Sequence, residues 1–280
     1  MEIAKAGKQY LRRLAYRAHR AQLSLRRRPF SAFNEEGILR RYITQLLPPD
    51  HGRFAVDIGA GDGIRHSNTY ALFSRGWSGI GVECDGRKAC KLARAYKHYP
   101  NVSACRCRVT PNNVAPLLHA YAVEPEFSVL SLDLDGNDYW VLDELLHHFR
   151  PRLIITELNE KIPPPIKFVV KYNPDFQLRH HFYGYSVATL GELTKKHGYG
   201  ILQLEYNNAF LAPAELPGVR PLEVAAAYHE GYAKRADRKE KFPPNHDMEI
   251  LQSLSPAEGV SFLKQFYSNF ENEYELSIGE

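Results

Sequence analysis

Short apolar runs alternate with helical stretches from about residue 54 to residue 212. Ala55, Val56 and Ile58 suit a buried parallel strand that runs straight into Gly59, Gly61 and Gly63. A helix is expected from Asn68 to Ser74, a strand over Ser78–Glu83, a helix over Lys88–Tyr99 and a strand over Val102–Val109. Thr110 is placed to cap the next helix, and apolar strands follow within Phe127–Leu132 and Pro151–Asn159. After a helix over Ser186–His197 closed by Gly198, runs at Gly200–Tyr206 and Ala209–Ala212 flank Asn207 and Asn208 as an antiparallel hairpin. The pattern predicts an α/β fold with a doubly wound, mostly parallel sheet.

Other segments frame this core. Residues 3–25 are expected to be helical, and Ile38, Leu39, Tyr42, Ile43 and Leu46 share one face of a helix stopped by Pro48 and Pro49. Pro163, Pro164 and Pro165 open an insertion expected to be irregular as far as His181. From Pro213 the pattern turns helical and polar, with a last amphipathic helix over Pro256–Phe270 and an acidic tail. Three parts are therefore expected: a basic helical arm at 1–30, a nucleotide-fold domain at 31–212 and a helical extension at 213–280.

Composition changes the picture in two places. A chain of 280 residues with 44% hydrophobic content can bury one large core, and no run reaches the roughly 18 apolar residues a membrane span needs. Without the apolar core of a secretory signal, a cytoplasmic address is expected. The net charge of +4 is unevenly spread: residues 1–28 carry nine Lys or Arg against Glu2 alone, so the remainder is net acidic. Such an arm could touch anionic lipid, placing the protein at a membrane periphery, or another polyanion, or pack on a second copy of the chain. No motif for sequence-specific nucleic-acid binding is present. Cys84, Cys90, Cys105 and Cys107 lack paired metal-binding spacing and read as reduced thiols.

The candidate chemistry sits at strand ends. Asp57 and Asp62 place carboxylates around the glycine turn, where a dinucleotide turn would present bare amides to pyrophosphate. An acidic Gly-x-Gly-x-Gly turn suits a cationic ligand without phosphate, such as S-adenosylmethionine. Glu83, with Asp85 in reserve, stands where this fold holds ribose hydroxyls, and Thr110 lies at the strand end beside the expected adenine. Leu132-Asp-Leu-Asp-Gly-Asn-Asp138 clusters oxygen donors at the next strand's end, and Glu157 and Asn159 follow on the strand after it. Because residues two apart share a face on an extended chain, Asp133, Asp135, Glu157 and Asn159 are expected to converge in a manner suited to Mg²⁺. His180 and His181 are base candidates alongside Asp133.

Val56-Asp-Ile-Gly-Ala-Gly-Asp-Gly63, Gly81-Val-Glu83 and Leu130-Ser-Leu-Asp-Leu-Asp-Gly-Asn-Asp-Tyr-Trp140 resemble bacterial S-adenosylmethionine-dependent methyltransferases of the FkbM-like family. Pro151–Asn159 and Tyr183-Gly-Tyr-Ser186 are similar to that group as well, and the likeness covers roughly residues 33–212. The resemblance implies a seven-stranded sheet and methyl transfer, with Asp57, Gly59, Gly61 and Glu83 holding the donor. It also implies a metal-assisted reaction through Asp133, Glu157 and Asn159, although Leu158 separates the last two here. The expected function is O-methylation of a hydroxyl on a sugar, glycan or glycosylated metabolite. A nicotinamide-dependent oxidoreductase and a polyanion-binding protein with a non-catalytic core are the alternatives.

Overall fold

A computed structural model describes residues 29–279. The basic arm of residues 1–28, with its expected helix and anionic contact, lies outside the described residues. Strands β1 (Phe54–Ile58), β2 (Ser78–Glu83), β3 (Val102–Arg106), β4 (Val129–Leu132) and β5 (Leu153–Glu157) precede β6 (Ile166–Val170), β7 (Tyr199–Glu205), β8 (Asn208–Pro213) and β9 (Tyr274–Ile278). Seven of them form one sheet in the order β3-β2-β1-β4-β5-β8-β7. The first five strands are mutually parallel, and β8 and β7 join antiparallel as a hairpin. This is the doubly wound, seven-stranded α/β sheet that the hydrophobic pattern and the family resemblance anticipate.

Parallel strands covered on both faces are largely apolar, and Ala55, Val56, Ile58, Leu130, Leu132 and Ile154 are all buried. One core, with Ile58, Val114, Leu142 and Leu190, packs one side of the sheet. Another gathers Ala55, Tyr70, Phe73, Leu92 and Ile155 with Ile38 and Leu39 from the helix Glu35–Leu46. Register sets the site: Ile58 lies level with Val82 and with Leu132, and Leu132 with Thr156. The loops after β1, β2, β4 and β5 therefore open on one edge, where strand order reverses between β1 and β4.

The expected irregular insertion and purely helical extension require correction. β6 and β9 pair antiparallel into a second, two-stranded sheet that joins residues more than a hundred positions apart. Ile162, Phe168, Phe182, Met248, Leu263 and Tyr267 bury a third apolar core beneath it. The extension's helices are short, at Val224–Tyr228, Arg238–Lys241 and Pro256–Phe266, with a π-helical turn at His229–Ala233 and a 3₁₀ stretch at Pro243–Gln252. No described helix is long and apolar enough to cross a membrane.

Candidate active site

A cleft of about 330 Å³ opens along the carboxyl edge of the sheet. Its floor includes Asp57, Gly59, Gly61, Glu83, Asp85, Thr110, Asp133 and Asp135. Gly59 is obligatory: its φ is +84°, and a Cβ there would stand 1.7 Å from the carbonyl oxygen of Asp133. The turn is pinned from below, since the amides of Gly59 and Ala60 both donate to the Val82 carbonyl, at 2.9 and 3.0 Å. Glu83 pins it from the side, accepting from the amides of Gly61 at 2.9 Å and Asp85 at 2.7 Å. Those two bonds use one lone pair on each carboxylate oxygen, and the remainder are available to ligand hydroxyls. Asp57 is buried beneath the turn and accepts from Thr69 Oγ1 at 2.6 Å. Burial raises its carboxyl to about 6 despite hydrogen bonds from Thr69 and Ser131.

The acids after β4 line the same cleft and meet Glu157 from the end of β5. Carboxylate oxygens of Asp133, Asp135 and Glu157 lie within 4.8 Å of one another. Asp133 faces the open cleft but is ringed by protein: desolvation, then the charges of Asp138 and Asp135, raise its pKa to about 7. Desolvation and the neighbouring Asp133 charge push Glu157 well above the usual carboxylate range, while Asn207 Nδ2 donates to it at 2.8 Å. None of the three makes an ion pair among the described residues. Crowded oxygen donors without a cationic partner fit a hard divalent cation that keeps part of its water.

The loop is shaped by the rest of its own segment. Asp138 is buried and accepts from the amides of Leu134 at 2.7 Å and Gly136 at 2.9 Å, which folds Asp135 into a left-handed conformation with φ +57°. Asn137 exchanges two hydrogen bonds with the backbone of Asn173, and Trp140 Nε1 donates to the Val170 carbonyl at 2.8 Å. Arg108 donates to the Pro174 carbonyl at 2.9 Å. Residues 173–176 thus run across the cleft as a strap, with Pro174 and Phe176 among its walls. Phe176 lies so close over Gly136 that a Cβ there would meet its ring at 2.2 Å.

Four expected site residues lie elsewhere. Asp62 accepts from the amides of Ile64 and Arg65 at 2.9 and 2.8 Å and borders a separate depression with Lys91 and Arg94. An Asx turn thus holds its carboxylate outside the cleft lining. Asn159 is fully buried and donates to the carbonyls of His181 at 2.9 Å and Tyr183 at 3.0 Å. β5 ends at Glu157, so the two-residue alternation stops before Asn159 can join the acids. His180 and His181 line no part of the cleft, because the second sheet carries them past it toward the C-terminal layer. Asp85 does line the cleft, but its carboxylate also caps the helix Gly86–Tyr96 through the amides of Arg87 and Lys88.

Sequence reasoning missed Arg65, His66, Lys88 and Arg108 at the cleft rim. Each follows an expected strand or turn, but only the folded register turns them to the same side. The rim adds cationic groups around the acidic floor.

No family model matches the chain, and no curated protein matches it. Among solved structures it is similar to an O-methyltransferase from Bacillus cereus in complex with S-adenosylhomocysteine, at 16% identity over 71% of this chain and 88% of that one, TM-score 0.42. An S-adenosylmethionine-dependent methyltransferase from Clostridium acetobutylicum matches at 10% identity over 64% and 89%, TM-score 0.40. The [4+2]-cyclase SpnF matches at 11% identity over 86% and 78%, TM-score 0.38. Likenesses this distant assign no reaction, which must be read from the cleft itself.

Proposed function

We propose that this chain is an S-adenosylmethionine-dependent methyltransferase that methylates a hydroxyl, with a sugar, glycan or glycosylated metabolite as acceptor and a divalent cation such as Mg²⁺ assisting. One observation carries the reading: the glycine turn with Asp57 and Glu83 shares a single cleft with Asp133 and Asp135, whose carboxylate oxygens stand within 4.8 Å of that of Glu157. The acidic floor suits a sulfonium donor and disfavours the pyrophosphate of a nicotinamide cofactor.

In this reading Glu83 binds donor ribose hydroxyls, and Asp57 and the Gly59–Gly63 turn seat the methionine end. A bound divalent cation would polarise the acceptor oxygen and lower its pKa. The three carboxylates would hold that cation, and the acceptor proton would pass to a carboxyl group in the cleft. The strap at 173–176 would exclude water and align the acceptor oxygen behind the sulfonium methyl. His180 and His181 have no part in this chemistry.

Calorimetry with S-adenosylhomocysteine and NAD side by side tests the donor assignment, and binding of NAD alone overturns it. Activity that survives both EDTA and Asp133→Ala would remove the cation from the mechanism. We also propose that residues 1–28 engage an anionic surface. Salt-dependent retention on heparin that persists after their deletion contradicts this.

A further inference from the structure

We propose that His180, His181 and Asp247 form a binding site for a transition-metal ion of the Zn²⁺ class, clamping the insertion that bears the strap to the C-terminal layer. Two imidazole nitrogens and a carboxylate oxygen from these residues lie within 4.8 Å of one another. His181 is 97% buried by its 3% exposure, and its Nε2 stands 2.8 Å from Asp247 Oδ1. Both atoms are buried; they meet each other as a close ion-pair contact without hydrogen-bond alignment, and neither has another partner. A buried polar contact without hydrogen-bond alignment leaves both groups poorly satisfied unless a further partner sits beside them. A cation shared by the two satisfies both.

The backbone supports the arrangement. His180 adopts φ +50°, a left-handed conformation that brings its ring beside that of His181, with centroids 3.8 Å apart. Neighbours on an extended strand would point to opposite faces. The His181 carbonyl is itself anchored, accepting from Asn159 Nδ2 at 2.9 Å and Tyr267 Oη at 2.8 Å. Two nitrogens and one oxygen with a fourth position open match zinc, whereas the all-oxygen group in the cleft suits magnesium.

A second His-His-Asp group, Asp143, His147 and His197, shows what satisfaction looks like. There His197 Nε2 bonds Asp143 Oδ1 at 2.7 Å, and Lys196 reaches both carboxylate oxygens at 2.6 and 2.9 Å. The carboxylate of that group is already met by a histidine and a lysine.

The test uses the full chain stripped with EDTA, dialysed, and titrated with Zn²⁺ by calorimetry and with Co²⁺ by visible absorption. One tight equivalent is expected, with a tetrahedral Co²⁺ band. His180→Ala and Asp247→Asn should each lower Zn²⁺ affinity tenfold or more, while His147→Ala leaves it unchanged. His180 is exposed, so its variant should keep the metal-free melting profile. Equal Zn²⁺ affinity in wild type and the His180→Ala/Asp247→Asn double variant would overturn the proposal. Loss of binding in His147→Ala, or thiolate charge-transfer absorption from a cysteine site, would overturn it equally.

Discussion

The acidic cleft and the C-terminal layer treat buried charge in opposite ways. In and beside the cleft Asp57, Asp133, Asp138 and Glu157 all have raised pKa values, burial being the leading cause at each, with repulsion from nearby acids adding at Asp133 and Glu157. In the other layer Glu160 and Lys161 are buried as a pair. Tyr183 Oη accepts from Lys161 at 2.8 Å and donates to Glu160 at 3.0 Å, and Asn245 donates to Glu160 at 2.6 Å. Around that pair Phe168, Phe182 and Tyr267 pack edge to face. One region crowds like charges at the cleft, and in the other the Glu160–Lys161 pair is met internally. Function costs stability in the first, and the second offsets it.

Substitutions should separate the two. Leu263 is fully buried in the C-terminal layer, so Leu263→Ala should cost about 2–5 kcal/mol by chemical denaturation. Its S-adenosylhomocysteine affinity, measured where the protein is folded, should stay within about threefold, because the cleft edge belongs to the other sheet. Asp133→Ala should do the reverse: catalytic turnover falls by about 10²-fold or more, close to 3 kcal/mol of barrier, with little loss of fold. A large fall in melting temperature for Asp133→Ala would break the comparison.

Gly136→Ala probes the link between the regions. The added methyl collides with Phe176, and overpacking of this kind costs about 1–3 kcal/mol. The strap should shift, raising KM for donor or acceptor more than it lowers global stability, as steady-state kinetics beside a melt would report.

The smallest effect concerns pH. Asp57 and Asp138 titrate at about 6 and Asp133 at about 7 in the folded chain, above the ordinary 3.8. Between pH 4 and 7 the native state therefore holds protons the unfolded chain has released, so these groups contribute a stability that is lost as pH rises. Metal-free Asp133→Asn should gain about 1 kcal/mol over wild type at pH 8 and nothing at pH 4, the figure reduced because water reaches this carboxyl. Added Mg²⁺ should close that gap by stabilising wild type alone. A larger benefit of Asp133→Asn at pH 4 than at pH 8 would contradict the sign.

Much of this was legible along the chain. The strands β2 and β5 are largely apolar runs ending in Glu83 and Glu157, and Asp133 directly follows the apolar β4, whereas β1 buries Asp57 one position before its end. What local pattern could not convey was pairing at a distance. Ile166-Lys-Phe-Val-Val170 follows three prolines and has no strand partner until Tyr274–Ile278. Missing that sheet sent His180 and His181 to the wrong region. Asn159 failed on a smaller scale, since no residue type announces that β5 stops two positions short of it. Asp62 illustrates a third limit: one Asp serves equally as ligand holder or turn former, and only the Ile64 and Arg65 amides decide.

The central claim is that the Gly59–Gly63 turn and Glu83 cradle a methyl donor. Titration calorimetry of S-adenosylhomocysteine into wild type and Gly59→Ala decides it most directly. One equivalent binding to wild type, weakened at least 100-fold by Gly59→Ala in a protein that still melts cooperatively, is the predicted result. No heat with wild type, or equal affinity in both proteins, would contradict it.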